Sequence, residues 1–131
     1  MKVALGLGCD RGTPAETIRQ AIATALDALG ATFDDVQMVA SIDLKRDETG
    51  LLEVARHAGW PIRFYPASEL AAVAVPNPSE TVRKHTGTPS VSEAAALLVA
   101  GVDLTQLLIE KHKQRGPDGR NATVSIARMP Q

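Results

Sequence analysis

Three polar segments hold the residues whose types and spacing could do chemistry. The first is Gly6-Leu7-Gly8-Cys9-Asp10-Arg11-Gly12-Thr13. Glycines before a helix expose backbone N–H groups, and Arg11 adds a cation, so this stretch is either a plain strand-to-helix turn or an anion-binding loop. Cys9 is a packing residue or, with its pKa lowered by Arg11 and the helix start, a nucleophile; no histidine lies nearby in sequence to serve as its base. The second segment, Ser41-Ile42-Asp43-Leu44-Lys45-Arg46-Asp47-Glu48, crowds carboxylates around a lysine. Asp43, Lys45 and Glu48 are the catalytic candidates: Asp43 or Glu48 to activate water, Lys45 to stabilise an oxyanion. A charged loop feeding the positive end of a helix accounts for the same residues. The third segment, Lys84-His85-Thr86-Gly87-Thr88-Pro89-Ser90, offers hydroxyl and backbone donors beside cationic or titrating groups. It suits a carboxylate or phosphate, and equally a well-capped turn. The candidate ligand-binding residues are therefore Gly8, Cys9, Arg11, Ser41, Asp43, Lys45, Lys84, His85, Thr86, Gly87, Thr88 and Ser90.

The elements that must position these segments follow from the apolar pattern. Lys2 to Gly8 reads as a buried strand. Thr13-Pro14-Ala15-Glu16 has the form of a capping box with proline at the first helical position. Ile18, Ile22, Ala25, Leu26 and Leu29 follow at helical spacing, up to Gly30. Val36 to Ile42 is a second strand. Asp47 to Ala58 is a second helix with Leu51, Leu52, Ala55 and Ala58 inward, closed by Gly59. Pro61 to Tyr65 is a short strand, Ser68 to Val73 a brief helix, Pro76 to Pro78 a breaker and Ser79 to His85 another short helix. Ser90-Val91-Ser92-Glu93 is a second capping box, opening a helix that ends near Gly101. Leu104 to Lys111 and Ala122 to Arg128 are strands joined through a hairpin tip at Arg115-Gly116-Pro117-Asp118-Gly119. The order β-α-β-α-β-α-α-α-β-β predicts a single three-layer α/β domain over residues 1–131: a mostly parallel sheet of about five strands, helices on both faces and a C-terminal antiparallel hairpin. Ligands of such sheets bind beyond the carboxyl ends of the parallel strands, where the three segments should meet.

Composition narrows the function. The chain has 131 residues, 44% of them hydrophobic, with a formal net charge of -1. Four aromatics (Phe33, Trp60, Phe64 and Tyr65) leave the core to Ala, Val, Leu and Ile. Near-neutral charge and scarce aromatics exclude a nucleic-acid platform. One cysteine precludes an internal disulfide, and the short apolar start from Met1 to Gly8 is too brief for a signal peptide or a membrane span, so a cytoplasmic protein is expected. Cys9, His57, His85 and His112 are scattered without zinc spacing, so no metal and no cofactor are expected. Gly6 and Gly8 match only part of the dinucleotide fingerprint, because Arg11 stands where its third glycine belongs. The basic run Lys111-His112-Lys113-Gln114-Arg115 is a solvated hairpin arm or one that leans over an acidic ligand.

The same segments resemble the cobalamin-biosynthesis family that includes CobE and the C-terminal part of CbiG. Gly6 to Thr13 is similar to the family's glycine-cysteine-arginine opening. Ala40-Ser41-Ile42-Asp43-Leu44-Lys45-Arg46-Asp47-Glu48, with Gly50-Leu51, is similar to its central motif. Thr86-Gly87-Thr88-Pro89-Ser90-Val91-Ser92-Glu93 resembles its late Gly-Thr-Pro-Ser-Val block, and Ala122 to Arg128 fits its closing strand. The resemblance implies a role in building the corrin ring and, as ligand, a precorrin or other corrinoid intermediate: a large macrocycle fringed with carboxylates. It also implies three alternatives. The domain binds or carries such an intermediate; or it is a hydrolase-type enzyme acting on a precorrin lactone, as the longer CbiG is; or it docks on other cobalamin-biosynthesis enzymes. The stand-alone length points to the CobE type.

Overall fold

The computed structural model describes residues 1–75 and 91–130. The expected breaker at Pro76 to Pro78, the short helix at Ser79 to His85 and the segment Lys84 to Ser90 lie outside the described residues. In chain order the described elements are β1 (Val3–Cys9), α1 (Ala15–Asp27), β2 (Val36–Ile42), α2 (Thr49–Ala58), β3 (Ile62–Tyr65), α3 (Ala67–Ala71), α4 (Val91–Ala100), β4 (Leu107–Arg115) and β5 (Asn121–Arg128), with short 3-10 turns before β2, after β2 and before β4.

The five strands form one sheet in the order β3-β2-β1-β5-β4. β1 pairs in parallel with β2, and β2 with β3; β5 runs antiparallel to both β1 and β4. The sheet is thus mixed rather than mostly parallel, because the closing hairpin slots β5 against β1 and places β4 at the edge. This brings the start of β5 beside the carboxyl end of β1, with Ala122 opposite Cys9.

Alternation along β1 sends its side chains to two different layers. Val3, Leu5 and Leu7 meet Ile18, Ile22 and Leu26 of α1 and Leu51, Val54 and Ala55 of α2. Each of these large aliphatics contributes about 1.5–3 kcal/mol when fully buried. On the other face Ala4, Ala40, Ile42 and Ala127 meet Ala94 to Leu97 and Ala100 of α4, with Leu70 of α3. Here close approach replaces bulk. A Cβ built on Gly6 would lie 1.8 Å from the Ser92 carbonyl oxygen and 2.7 Å from the Ala96 nitrogen, so α4 rests directly on the β1 backbone. Ser92 and Ser125 hydroxyls meet at 2.8 Å, and Ser125 donates to the Glu110 carbonyl at 2.6 Å, tying the helix through β5 to β4.

Three local expectations are corrected. Thr13 does not cap α1: its hydroxyl donates to the Asp10 carbonyl at 2.7 Å, Pro14 takes the position ahead of the helix, and Glu16 pairs with Arg19. α2 begins at Thr49 rather than Asp47 and turns Leu52 outward, 38% exposed, while Val54 takes the inward place. β4 runs Leu107–Arg115 rather than Leu104 to Lys111, since Leu104 to Gln106 form a 3-10 turn held by Asp103 accepting from Thr105 N–H at 2.9 Å. Gly59 ends α2 as expected, at φ 76, which glycine adopts without strain.

Candidate functional site

The connections β1–α1, β2–α2 and β4–β5 emerge at one end of the sheet and are stitched into a single unit. Glu48, just before α2, is the stitch. It is only 3% exposed. Its Oε1 accepts from the Gly12 N–H at 3.0 Å, and its Oε2 lies 2.8 Å from the Arg11 guanidinium. That last contact is an ion pair without good hydrogen-bond alignment. Arg11 also reaches Asp47 Oδ1 at 2.8 Å and the Leu44 carbonyl at 3.2 Å. Gly50 makes this approach feasible, because a Cβ there would lie 2.4 Å from the Thr13 carbonyl. The hairpin is sewn on from the other side. Asp10 Oδ2 accepts from the Asn121 backbone N–H at 2.8 Å and from its side-chain amide at 3.1 Å, and Arg120 Nε donates to the Arg11 carbonyl at 3.0 Å.

The electrostatics follow from these contacts. Arg11 beside Asp47 holds that carboxyl below the ordinary carboxylate range and raises its own pKa in return. Cys9 goes the other way from the nucleophile alternative: burial pushes its thiol up to about 11, outweighing nearby Lys45, which favours the thiolate, while Glu48 adds to the rise. Arg11 thus does not activate the thiol. Lys45 is half-buried, close enough to Cys9 to act on it electrostatically, and has no ion-pair partner among the described residues. Among the described residues no group of three or more His, Cys, Asp and Glu could hold a metal ion.

The loop that offers N–H groups at the start of α1 is therefore filled from within, by the Glu48 carboxylate. Residues 3–127 match the family described as "Cobalamin synthesis G C-terminus". The chain belongs to this family. It is 40% identical over 128 residues to a cobalt-precorrin-5A hydrolase of Priestia megaterium, covering 98% of this chain and 32% of that protein. It is also 40% identical over 115 residues to the CobE protein of a Sinorhizobium species, covering 84% of this chain and 75% of that one. The fold matches a solved structure of CobE, a protein from the cobalamin (vitamin B12) biosynthetic pathway, with TM-score 0.85 and 32% identity over 99% of this chain and 95% of that one. The chain spans about a third of the length of the hydrolase.

Within this cobalamin-biosynthesis domain the expected residues divide. Gly8, Cys9, Arg11, Asp43, Lys45 and Glu48 all come to one end of the sheet. Arg11 and Glu48 are bonded to each other there, so Glu48 anchors the loops rather than facing outward. Ser41 is fully buried, and its hydroxyl donates to the Leu7 carbonyl at 2.6 Å, inside the sheet rather than toward a ligand. Asp43 is half-buried at the end of β2. Lys84, His85, Thr86, Gly87, Thr88 and Ser90 lie outside the described residues. The stitching residues Asp10, Gly12, Asp47, Arg120 and Asn121 were missed as site builders. Nothing in the local pattern joins Asp10 to a partner 111 positions away; Gly50, a glycine one residue into a helix, was the signal that something packs close.

Proposed function

We propose that the domain binds a carboxylate-rich precorrin or other corrinoid intermediate in the cytoplasm, at the end of the sheet where β1 and β2 release their connections. The observation that carries this is Lys45. It is a cation without an ion-pair partner among the described residues, beside two loops that Arg11, Asp47 and Glu48 tie together. A carboxylate approaching this end meets a rigid frame and a free ammonium, so little ordering is required on binding. Membership of a cobalamin-biosynthesis family and the precorrin named for the hydrolase relatives support the ligand class. Titration of the protein with hydrogenobyrinic acid, followed by the visible absorbance of the macrocycle, tests the proposal: a saturable shift and co-elution are expected, weakened about fivefold in Lys45→Ala. No shift and no co-elution would overturn it.

A second reading, hydrolysis of a precorrin lactone, is favoured by the identity to the hydrolase over 98% of this chain. Asp43, half-buried at the end of β2, is then the base, and Lys45 the oxyanion partner. Incubation of the purified domain with a lactone-bearing precorrin decides it, an unchanged substrate excluding turnover. Docking on another enzyme of the pathway is separated from both by co-purification.

A further inference from the structure

The strand register carries a second group of residues to the same end of the sheet, on the side away from α1 and α2. Gly8 of β1 pairs with Thr123 of β5, and Thr123 pairs with Lys113 of β4; in the next row outward, Asn121 pairs with Arg115. Opposed residues in a sheet point to the same face. Their strand neighbours Leu7, Ala122 and Val124 lie in the core with α1 and α2, so Gly8, Thr123, Lys113 and Arg115 face the α4 side. The row just below, Gly6 with Ser125, is roofed by the first turn of α4. The Gly8–Thr123–Lys113 row is the first beyond that roof.

Gly8 differs from Gly6 in a telling way. Among the described residues a Cβ at Gly8 would meet only the Thr123 Cβ, at 3.8 Å, and the residue is not in the left-handed region. The described residues leave room for a side chain there and do not call for glycine. Its bareness leaves a shallow floor across two strands, spaced about 4.8 Å apart. Lys113 and Arg115 stand exposed along the outer edge of that floor, and neither has an ion-pair partner among the described residues. A flat floor with cations on one margin complements a flat body with carboxylates on its rim. Arginine adds a planar fork that matches a carboxylate with two parallel hydrogen bonds.

We propose that Gly8 and Thr123 form the floor, and Lys113 and Arg115 the charged rim, on which a planar, carboxylate-fringed macrocycle lies face down. This rests on the reading that the domain binds such a ligand, and it names the face and the residues that receive it. Two variants test it by absorbance titration with hydrogenobyrinic acid. Lys113→Glu/Arg115→Glu is expected to weaken binding by about tenfold or more, and to leave unchanged the binding of a corrinoid whose carboxylates are amidated. Gly8→Leu, which fills the floor, is expected to abolish binding of both ligands while the thermal midpoint stays near that of the parent. Wild-type binding with the charge-reversal variant unaffected would overturn this inference and leave the parent reading standing. So would equal weakening toward the amidated corrinoid, which would show general damage rather than lost charge pairing. Absence of wild-type binding would overturn both. If leucine at position 8 prevents folding, the charge-reversal pair alone decides.

Discussion

The two faces of the sheet are held by opposite means. The α1/α2 side is built from Leu5, Leu7, Ile18, Ile22, Leu26 and Leu51, large side chains that interlock at a distance. The α4 side is built mainly from alanines, with fewer large side chains (Ile42, Leu70 and Leu97), and at Gly6 the helix lies on the strand backbone itself. Bulk tolerates small adjustments, since neighbours relax partly into a cavity. Backbone contact tolerates none, because the obstructing atoms are a carbonyl oxygen and an amide nitrogen that cannot swing aside. A helix seated this low covers only the rows it touches, so among the described residues α4 roofs the Gly6–Ser125 row and not the Gly8–Thr123 row.

Substitutions on the two sides test the contrast. Gly6→Leu should be the most damaging, costing about 4 kcal/mol or more in urea unfolding and lowering the helical circular dichroism, since α4 must leave the sheet. A small effect there would refute the close seating. Ile22→Ala on the bulky side should cost about 3 kcal/mol with the secondary structure retained. Glu48→Ala removes the stitch between the loops and should cost about 2 kcal/mol, with faster proteolysis in residues 43–48 as a second readout. Gly8→Leu, two residues from Gly6 on the same face, should change stability by less than about 1 kcal/mol; a loss matching that of Gly6→Leu would show the open row to be covered.

Cys9 should register in pH rather than in stability at neutrality. Its folded thiol ionises near 11 against an ordinary 9.0, because burial outweighs Lys45. The native state therefore keeps its proton more tightly than the unfolded chain. The contribution to stability is complete below pH 9 and is lost as pH rises from 9 toward 11. Thiolate absorbance should titrate near the higher value, and alkylation at pH 8 should be slowed by roughly a hundredfold relative to a free cysteine. Titration near 9 would sink the assignment.

Much of the fold was legible because periodicity and punctuation agree. β2 falls where Val36 to Ile42 predicts it, α1 follows Ile18, Ile22, Ala25 and Leu26, and the alternation of Ala122 to Ala127 divides between the two layers as the pattern implies. What escaped were non-local choices. Position in the chain does not say that β5 inserts beside β1, and so the sheet was expected to be more parallel than it is. The Gly6-x-Gly8 pair drew attention to phosphates, yet Gly6 is explained by Ser92, 86 positions later by residue number. Thr13 and Glu16 satisfy a capping pattern locally, but Asp10 and Arg19 compete for them and win. Of the candidate site, the convergence of the first two loops could be foreseen from strand direction alone. That Arg11 and Glu48 would consume one another, and that Ser41 would turn inward to Leu7, required the third dimension.

The placement of β4 at the margin of the sheet has one further consequence. Among the described residues β4 is paired on a single side, and a strand so placed exposes a row of backbone donors and acceptors that could recruit another chain by extending the sheet. Lys111, Lys113 and Arg115 line this edge at alternate positions, so two such strands drawn together would bring cation against cation. Variants that make the basic run neutral and apolar are therefore expected to aggregate on concentration, whereas reversal to glutamate keeps the margin charged and is expected to keep the protein in solution.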